Sequence, residues 1–375
     1  MNKWQTYKIK DLTQSFSGGT PLTDRPEFYQ NGDIPFITSS DLNQQFIDSV
    51  PHYITKQGLE SSSAKIVEPQ TLLLALYGAT AGTAAITHIR GTINQAILAF
   101  SKSKIDIKFL YYLLCEKKPY ILHTYTQGGQ PNLSAQIVNN LSIYIPTYCH
   151  EQQKIVEVLE TWDKAIQLTR KLIEQKELQK KYLMQQLLTG RTRLKGFSNK
   201  WGNYKLQELA KIHKGKQLNS TELTATGEYP CLNGGITPSG YTHNWNSEKN
   251  TISISEGGNS CGYVNWNPKR FWAGGHCYTL SELKANPEFL YFLLKYKEKY
   301  IMSLRVGSGL PNIQRNSLEN LILYVPNNRE EQSRIGRLLV GVDLGGELLQ
   351  KRLAQLEEQK KGLMQVLLTG KIRLK

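Results

Sequence analysis

Residues 183–195 read LMQQLLTGRTRLK, and residues 363–375 read LMQVLLTGKIRLK. Over 180–195 against 360–375, 12 of 16 positions are identical. An internal duplication constrains a fold more than any composition, because the scaffold built by one copy must be buildable by the other. The offset of 180 residues extends upstream: FLYYLL at 109–114 matches FLYFLL at 289–294, and NLSIYIP at 140–146 matches NLILYVP at 320–326. Gly129, Pro131 and Asn132 match Gly309, Pro311 and Asn312; Glu151, Gln152, Ile155 and Asp163 match Glu331, Gln332, Ile335 and Asp343. At the other end, WQTYKIKDL at 4–12 resembles WGNYKLQEL at 201–209 with an offset of 197. The first copy therefore carries about 17 extra residues between Leu12 and Phe109. Starts and ends match while the middles do not. That suits one task performed twice on two different targets.

The end of each half reads as a long amphipathic helix. Ile155, Val158, Leu159, Trp162, Ala165, Ile166, Leu172 and Ile173 recur at helical spacing, with Lys154, Glu157, Glu160, Lys164 and Lys171 opposite. The second copy repeats the stripe with Ile335, Leu338, Leu339, Val342, Leu349, Leu353, Leu356 and Leu363. Gly190 after LLT is the expected stop, and the Gly345-Gly346 pair is expected to weaken or bend the second helix. Nearly 40 residues make roughly 55–60 Å of helix. A stripe that long calls for a partner, and the economical one is the duplicate helix, packed antiparallel as a coiled coil. Ile155, Leu159, Trp162, Ile166, Ile335, Leu339, Val342 and Leu349 are the expected interface. The other arrangement is two helices each folded onto its own domain. A helix pair of this length would hold two domains more than one DNA turn apart.

Residues 1–148 and 198–327 read as mixed α+β domains, each followed by a helical region, 149–197 and 328–375. Short β-branched and aromatic runs (33–38, 71–76, 250–255 and 270–280) alternate with polar, glycine-rich loops, and helices are expected at 106–118 and 286–301. The chain carries a formal net charge of +15, which points to a polyanionic partner, nucleic acid before membrane. The polar loops are then the candidate reading surface, because amide and guanidinium groups match base edges and cations neutralise phosphates. In the first half the candidates are Thr20, Arg25, Ser39, Ser40, Tyr77, Thr80, Asn94, Gln95, Gln127 and Gln130. In the second they are Lys214, Lys216, Gln217, Asn233, Asn259, Ser260, His276, Arg305 and Ser308.

Several chemistries find no motif. The sequence has no P-loop, no G-x-G-x-x-G opening a helix, no H-E-x-x-H and no Asn/Asp-Pro-Pro-aromatic tetrad. His276 stands beside Cys277 with no acid or base partner to nominate. Cys115, Cys149, Cys231, Cys261 and Cys277 are odd in number and lack C-x-x-C spacing, so buried free thiols are expected rather than disulfides or a metal site. No apolar signal region or 18-residue apolar run is present, and a cytoplasmic protein without membrane contact is expected.

Two unlike domains alternating with two near-identical helices ending LMQxLLTGxxRLK, with the entry GGTP…NGDIPFITSSDL and the exit LSIYIPTYCHEQQKI, resemble the specificity subunit of type I restriction-modification systems. The resemblance covers essentially the whole chain. It implies two target recognition domains, each reading one half of a bipartite, asymmetric double-stranded DNA sequence. It also implies that the helices set the spacer and dock two methyltransferase subunits. Two ATP-dependent restriction subunits complete the nuclease, or are missing from a methylation-only complex. S-adenosylmethionine, ATP and Mg would sit on those partners, leaving no cofactor and no catalytic residue in this chain. The cations Arg191, Arg193 and Lys195 are expected to lie past the helix stop, where they complement its C-terminus.

Overall fold

In the computed structural model, which describes residues 4–125, 132–307, 309 and 311–374, the chain forms two compact units. The first comprises residues 1–168 with 353–375, the second residues 169–352. This division does not follow the sequence repeat. The helix end written by each half belongs to the unit built around the other half's mixed domain.

In the first unit a five-stranded sheet runs Gln14–Ser17, Ile97–Ser101, Thr71–Ala75, Ala84–Thr87, Phe46–Ile47. A four-stranded sheet runs Tyr53–Ile54, Ile34–Ile37, Gly91–Ile93, Lys65–Val67. The strand Thr71–Ala75 is apolar from Leu72 to Ala75 because both faces there are covered. Leu72 and Leu74 join Leu98 and Phe100 under the helix Ile107–Tyr125. Leu73 and Ala75, pointing the other way, join Ile97, Ala99, Ile37, Ile93 and Val67 of the second sheet. The second unit repeats this plan with a sheet of Lys211–Lys214, Cys277–Ser281, Thr251–Ser255 and Val264–Asn267, a three-stranded sheet, and the helix Pro287–Tyr296. The helix expected at 286–301 is divided at Lys297, after which Glu298–Ser303 starts a new turn.

The middles, which do not match in sequence, match in backbone. Thr71–Ala75 and Thr251–Ser255, Ala84–Thr87 and Val264–Asn267, and Ile97–Ser101 and Cys277–Ser281 all keep the offset of 180. The extra residues of the first copy therefore lie mainly between Ile37 and Thr71. That stretch holds Phe46–Ile47, the helix Lys56–Glu60 and Lys65–Val67. The second copy spans the equivalent gap with one short strand, Gly240–Thr242.

The repeated starts and exits are explained by one motif. Trp4–Lys8 pairs antiparallel with Ser142–Pro146, and Trp201–Lys205 pairs in the same register with Ile322–Pro326. Each exit strand leads into a long helix, Cys149–Leu187 or Arg329–Leu367, of 39 residues. The second helix is unbroken through Gly345-Gly346. The repeated glutamine closes each junction: Gln152 accepts from Asp106 N and donates to Pro146 O, as Gln332 does with Asn286 N and Pro326 O.

Within each unit the two helical segments run antiparallel. In the first, Asp163 pairs with Lys360 and Glu151 with Arg373; in the second, Lys180 pairs with Asp343 and Arg193 with Glu331. Of the expected stripe, Ile155, Leu159, Ile166, Ile335 and Leu339 are buried, while Trp162, Val342 and Leu349 are half-buried. Leu172 and Leu338 are exposed while Ile335, Leu339 and Leu356 are buried, so the stripe is narrower than its periodicity suggests. Among the cysteines, Cys231, Cys261 and Cys277 are buried free thiols as expected. Cys115 is half-buried and Cys149 exposed, which corrects the expectation for those two.

Both helices stop at a glycine with positive φ, Gly190 (+69°) and Gly370 (+72°). The tails that follow form twin clamps. Arg373 donates to both oxygens of Glu151 (2.6 and 2.8 Å), and its guanidinium lies 5.4 Å from the centre of the Trp4 ring. Arg193 does the same with Glu331 (2.6 and 2.7 Å) and Trp201 (5.5 Å). Arg193 is thus held by a buried carboxylate, which corrects the reading of this cation as a cap on its own helix. The bidentate bond from Arg373, opposed by burial and aided by Trp4 Nε1 (3.3 Å), holds the Glu151 carboxyl below the usual carboxylate range. A group depressed in the folded state stabilises fully above its unfolded pKa of about 4.3 and loses that contribution as pH falls through the folded value. Thermal melts of Glu151→Gln are therefore expected to be lower than wild type at pH 7. The gap should shrink as pH falls from about 5 towards 3. A pH-independent gap would contradict this role.

Candidate nucleic-acid interface

Antiparallel pairing decides where the polar loops go. In the first unit Ser17 lies opposite Leu98 and Ala75 opposite Ile97, so the loops leaving Ser17 and Ala75 and the one entering Ile97 share one sheet end. The parallel pairing of Ile37 with Ile93 sends the loop after Ile37 to the same place. Thr20 donates to Gln95 Oε1 (2.7 Å), Gly18 N to Asn94 O (3.3 Å) and Leu76 N to Ala96 O (2.8 Å). Asn94 Oδ1 accepts from Ala96 N (3.1 Å), which shapes its own turn. Ser39 and Ser40 lie in the turn Ser39–Asp41, where Asp41 caps Thr38 and Ser40 contacts its hydroxyl (2.7 Å). Tyr77 is exposed and bridges to Asn132; Thr80 sits in the turn that follows. Arg25 stands apart from these bonds. It is exposed and pairs loosely with Glu27 (3.6 Å). Gln127, Gln130 and Ser308 lie outside the described residues.

The second unit gathers its loops the same way. Lys214 lies opposite Tyr278, Ser255 opposite Cys277, and Leu232 beside Ala273. Lys216 N donates to Ala273 O (2.9 Å), and its carbonyl accepts from Trp272 Nε1 (2.8 Å). Asn233 Oδ1 accepts from His276 N (3.1 Å). A Cβ at Gly274 would stand 2.6 Å from Asn233 Oδ1 and 2.9 Å from Asn233 Cβ, so this glycine is required by close approach. Asn259 and Ser260 sit in the loop 256–263, which is tied to 311–313 through Gly258 N to Pro311 O and Ile313 N to Glu256 O. Arg305 is exposed, one residue before the Val306–Asn312 bridge.

One group was not foreseen. Glu256, 8% exposed, directly follows the central strand Thr251–Ser255. Its Oε1 accepts from Lys214 Nζ (2.7 Å) and Tyr278 OH (2.9 Å), and its Oε2 lies 3.3 Å from His276 Nδ1. Glu256 is therefore the acidic partner that the sequence did not supply for His276. Burial pushes this carboxyl up, but hydrogen bonds from Lys214 and Tyr278, with the Lys214 charge and His276, outweigh it and hold the group below the usual range. The described residues include no helix long and apolar enough to cross a membrane.

The sequence matches the family described as Type I restriction modification DNA specificity domain twice, over residues 1–178 and 198–358. It is 26% identical to the type I restriction enzyme MjaVIII specificity subunit of Methanocaldococcus jannaschii, over 99% of this chain and 93% of that one. It is 36% identical to a putative type I specificity subunit of Mycoplasma pneumoniae, but that match spans only about two fifths of each chain (42%). The fold is shared with the crystal structure of a type I restriction-modification S subunit from M. genitalium, with a TM-score of 0.68 and 19% identity over 98% of this chain and 96% of that one. A second solved type I restriction-modification structure aligns with a TM-score of 0.63 and 16% identity over 97% of both chains.

Proposed function

The chain belongs to the family of type I restriction modification DNA specificity domains, and from that membership we propose that it is the non-catalytic, sequence-reading subunit of a type I restriction-modification complex. The observation that carries the reading is the pairing of one backbone plan with two different sets of loop side chains. Equivalent sheets gather their polar loops at the equivalent end, yet Thr20, Gln95 and Tyr77 of the first unit fall at Gln217, Gly275 and Gly257 of the second, and Ser17 and Leu76 fall at the charged Lys214 and Glu256. Two scaffolds alike and two surfaces unlike are what a bipartite, asymmetric DNA target requires. The net charge of +15 supplies the phosphate attraction. Each unit reads one half-site through bases, and exposed cations position the backbone.

The long helices, each about 58 Å by length, set the unspecified spacer and dock two methyltransferase subunits. Their exposed leucines, Leu168, Leu172, Leu344 and Leu348, are apolar groups suited to a protein partner. S-adenosylmethionine, ATP and Mg belong to the methyltransferase and restriction partners.

The test is binding to a two-part duplex selected from random DNA by the assembled complex. Inserting or deleting a few base pairs between the parts is expected to abolish selective binding. Raising salt from 50 to 200 mM should weaken affinity on the order of a thousandfold or more if about six phosphates are neutralised. Indifference to spacing, or a flat salt dependence, would sink the reading.

A further inference from the structure

The Lys214–Glu256–His276–Tyr278 cluster can be compared with its own twin. Leu76 occupies the backbone position of Glu256: Leu76 N donates to Ala96 O (2.8 Å) where Glu256 N donates to His276 O (2.9 Å). Leu76 O accepts from Leu133 N (2.8 Å) where Glu256 O accepts from Ile313 N (2.8 Å). By register, Ser17 opposite Leu98 corresponds to Lys214 opposite Tyr278. One scaffold therefore carries Ser17, Leu76, Ala96 and Leu98 in one unit and Lys214, Glu256, His276 and Tyr278 in the other. The uncharged set shows that the backbone does not need the charges. A buried carboxylate with its cations is weak evidence for stability, since well-packed apolar groups often serve as well or better. The charged set therefore has a use other than holding the strands together.

Its outer members face solvent. The side chains of Lys214 and His276 are 52% and 60% exposed, while that of Glu256 is 10% exposed. A carboxylate only accepts, so the 3.3 Å contact takes its proton from Nδ1, and an imidazole carrying that single proton presents its other nitrogen as an acceptor. Lys214 gives one proton to Glu256 and keeps two. The cluster thus offers a donor and an acceptor, fixed by one buried anchor, at the sheet end where the loops converge.

We propose that Lys214 and His276, positioned by Glu256, read one base pair of the half-site taken by the second unit. The edge recognised presents an acceptor beside an exocyclic amine, as adenine does with N7 and N6 or a G·C pair with O6 and N4. Glu256 and Tyr278 act as positioning residues and do not touch the base. This rests on the reading of the chain as a DNA specificity subunit.

The experiment is selection from random DNA at pH 8 by the complex with its methyltransferase subunits. The variants are Lys214→Met, His276→Ala and a transplant of the twin's set (Lys214→Ser, Glu256→Leu, His276→Ala, Tyr278→Leu). Each variant is expected to lose roughly 10- to 100-fold of preference at one position of one half-site. The other half-site and the spacer should stay as in wild type, and the transplant, which removes the carboxylate together with its cations, should keep the thermal midpoint. An unchanged target in all three variants overturns the proposal. So does a uniform loss of affinity across all sequences with a shallower salt slope, which marks a phosphate contact. The single variants change exposed side chains and remain decisive should the transplant fail to fold. If the wild-type complex selects no two-part target, the specificity reading itself fails, and this proposal with it.

Discussion

Arg193→Ala is expected to destabilise the second unit by about 3 kcal/mol, the cost of stranding a buried carboxylate. The Glu331 side chain is fully buried, and the guanidinium supplies two charge-assisted bonds to it. Removing the arginine leaves a charge in the protein interior beside Trp201, whose indole nitrogen is itself buried with no hydrogen-bond partner among the described residues. A unit of this size should then melt roughly 6–12 °C lower. Arg193→Met with Glu331→Leu removes both charges and is expected to recover most of the loss, because the penalty lies in the unpaired carboxylate rather than in the absent bridge. A loss under about 1 kcal/mol for Arg193→Ala would mean the pair behaves as an ordinary surface bridge.

Leu159→Ala and Leu339→Ala are each expected to cost about 3 kcal/mol, while Leu172→Ala should stay within about 0.5 kcal/mol. The three leucines are alike in the periodicity of the sequence. Leu159 and Leu339 are fully buried, each in the core of its own unit, alongside Ile155 and Met364 in the first and Ile335 and Met184 in the second. Deleting three carbons there leaves a cavity as well as losing the transfer free energy. Leu172 is 47% exposed and has little to lose. Denaturant melts of the three variants decide the matter; equal losses at all three positions would contradict the buried and exposed faces described above.

Much of the scaffold was legible before any coordinates. The duplication, the two long helices, their glycine stops and the mixed α+β middles are local patterns repeated twice, and repetition separates pattern from accident. The clamps were not legible, for a reason built into the repeat. Glu151 and Glu331 match, as do Arg193 and Arg373, so pairing within a half and pairing between halves predict the same matches. Only tertiary structure shows that Arg193 reaches Glu331 and Arg373 reaches Glu151. Leu172 misled because apolar spacing reports which residues share a face, not how wide the covered strip of that face is. At the interface, loop composition found Lys214 and His276 but passed over Glu256, the residue just past its strand, and Tyr278, which lies on one. Carrying the offset of 180 through the unmatched middles would have set Glu256 against Leu76, a polar residue at a core position, and that is the signal that was there to be used.

The central claim is that each unit reads its half of the target independently of the other. It is tested most directly by exchanging residues 14–104 for the equivalent stretch of a relative and mapping methylated adenines in DNA from cells that also express the methyltransferase subunit. The account predicts a two-part target in which one half changes to that of the donor while the other half and the spacer length are kept. A target changed in both halves, or in neither, would contradict it.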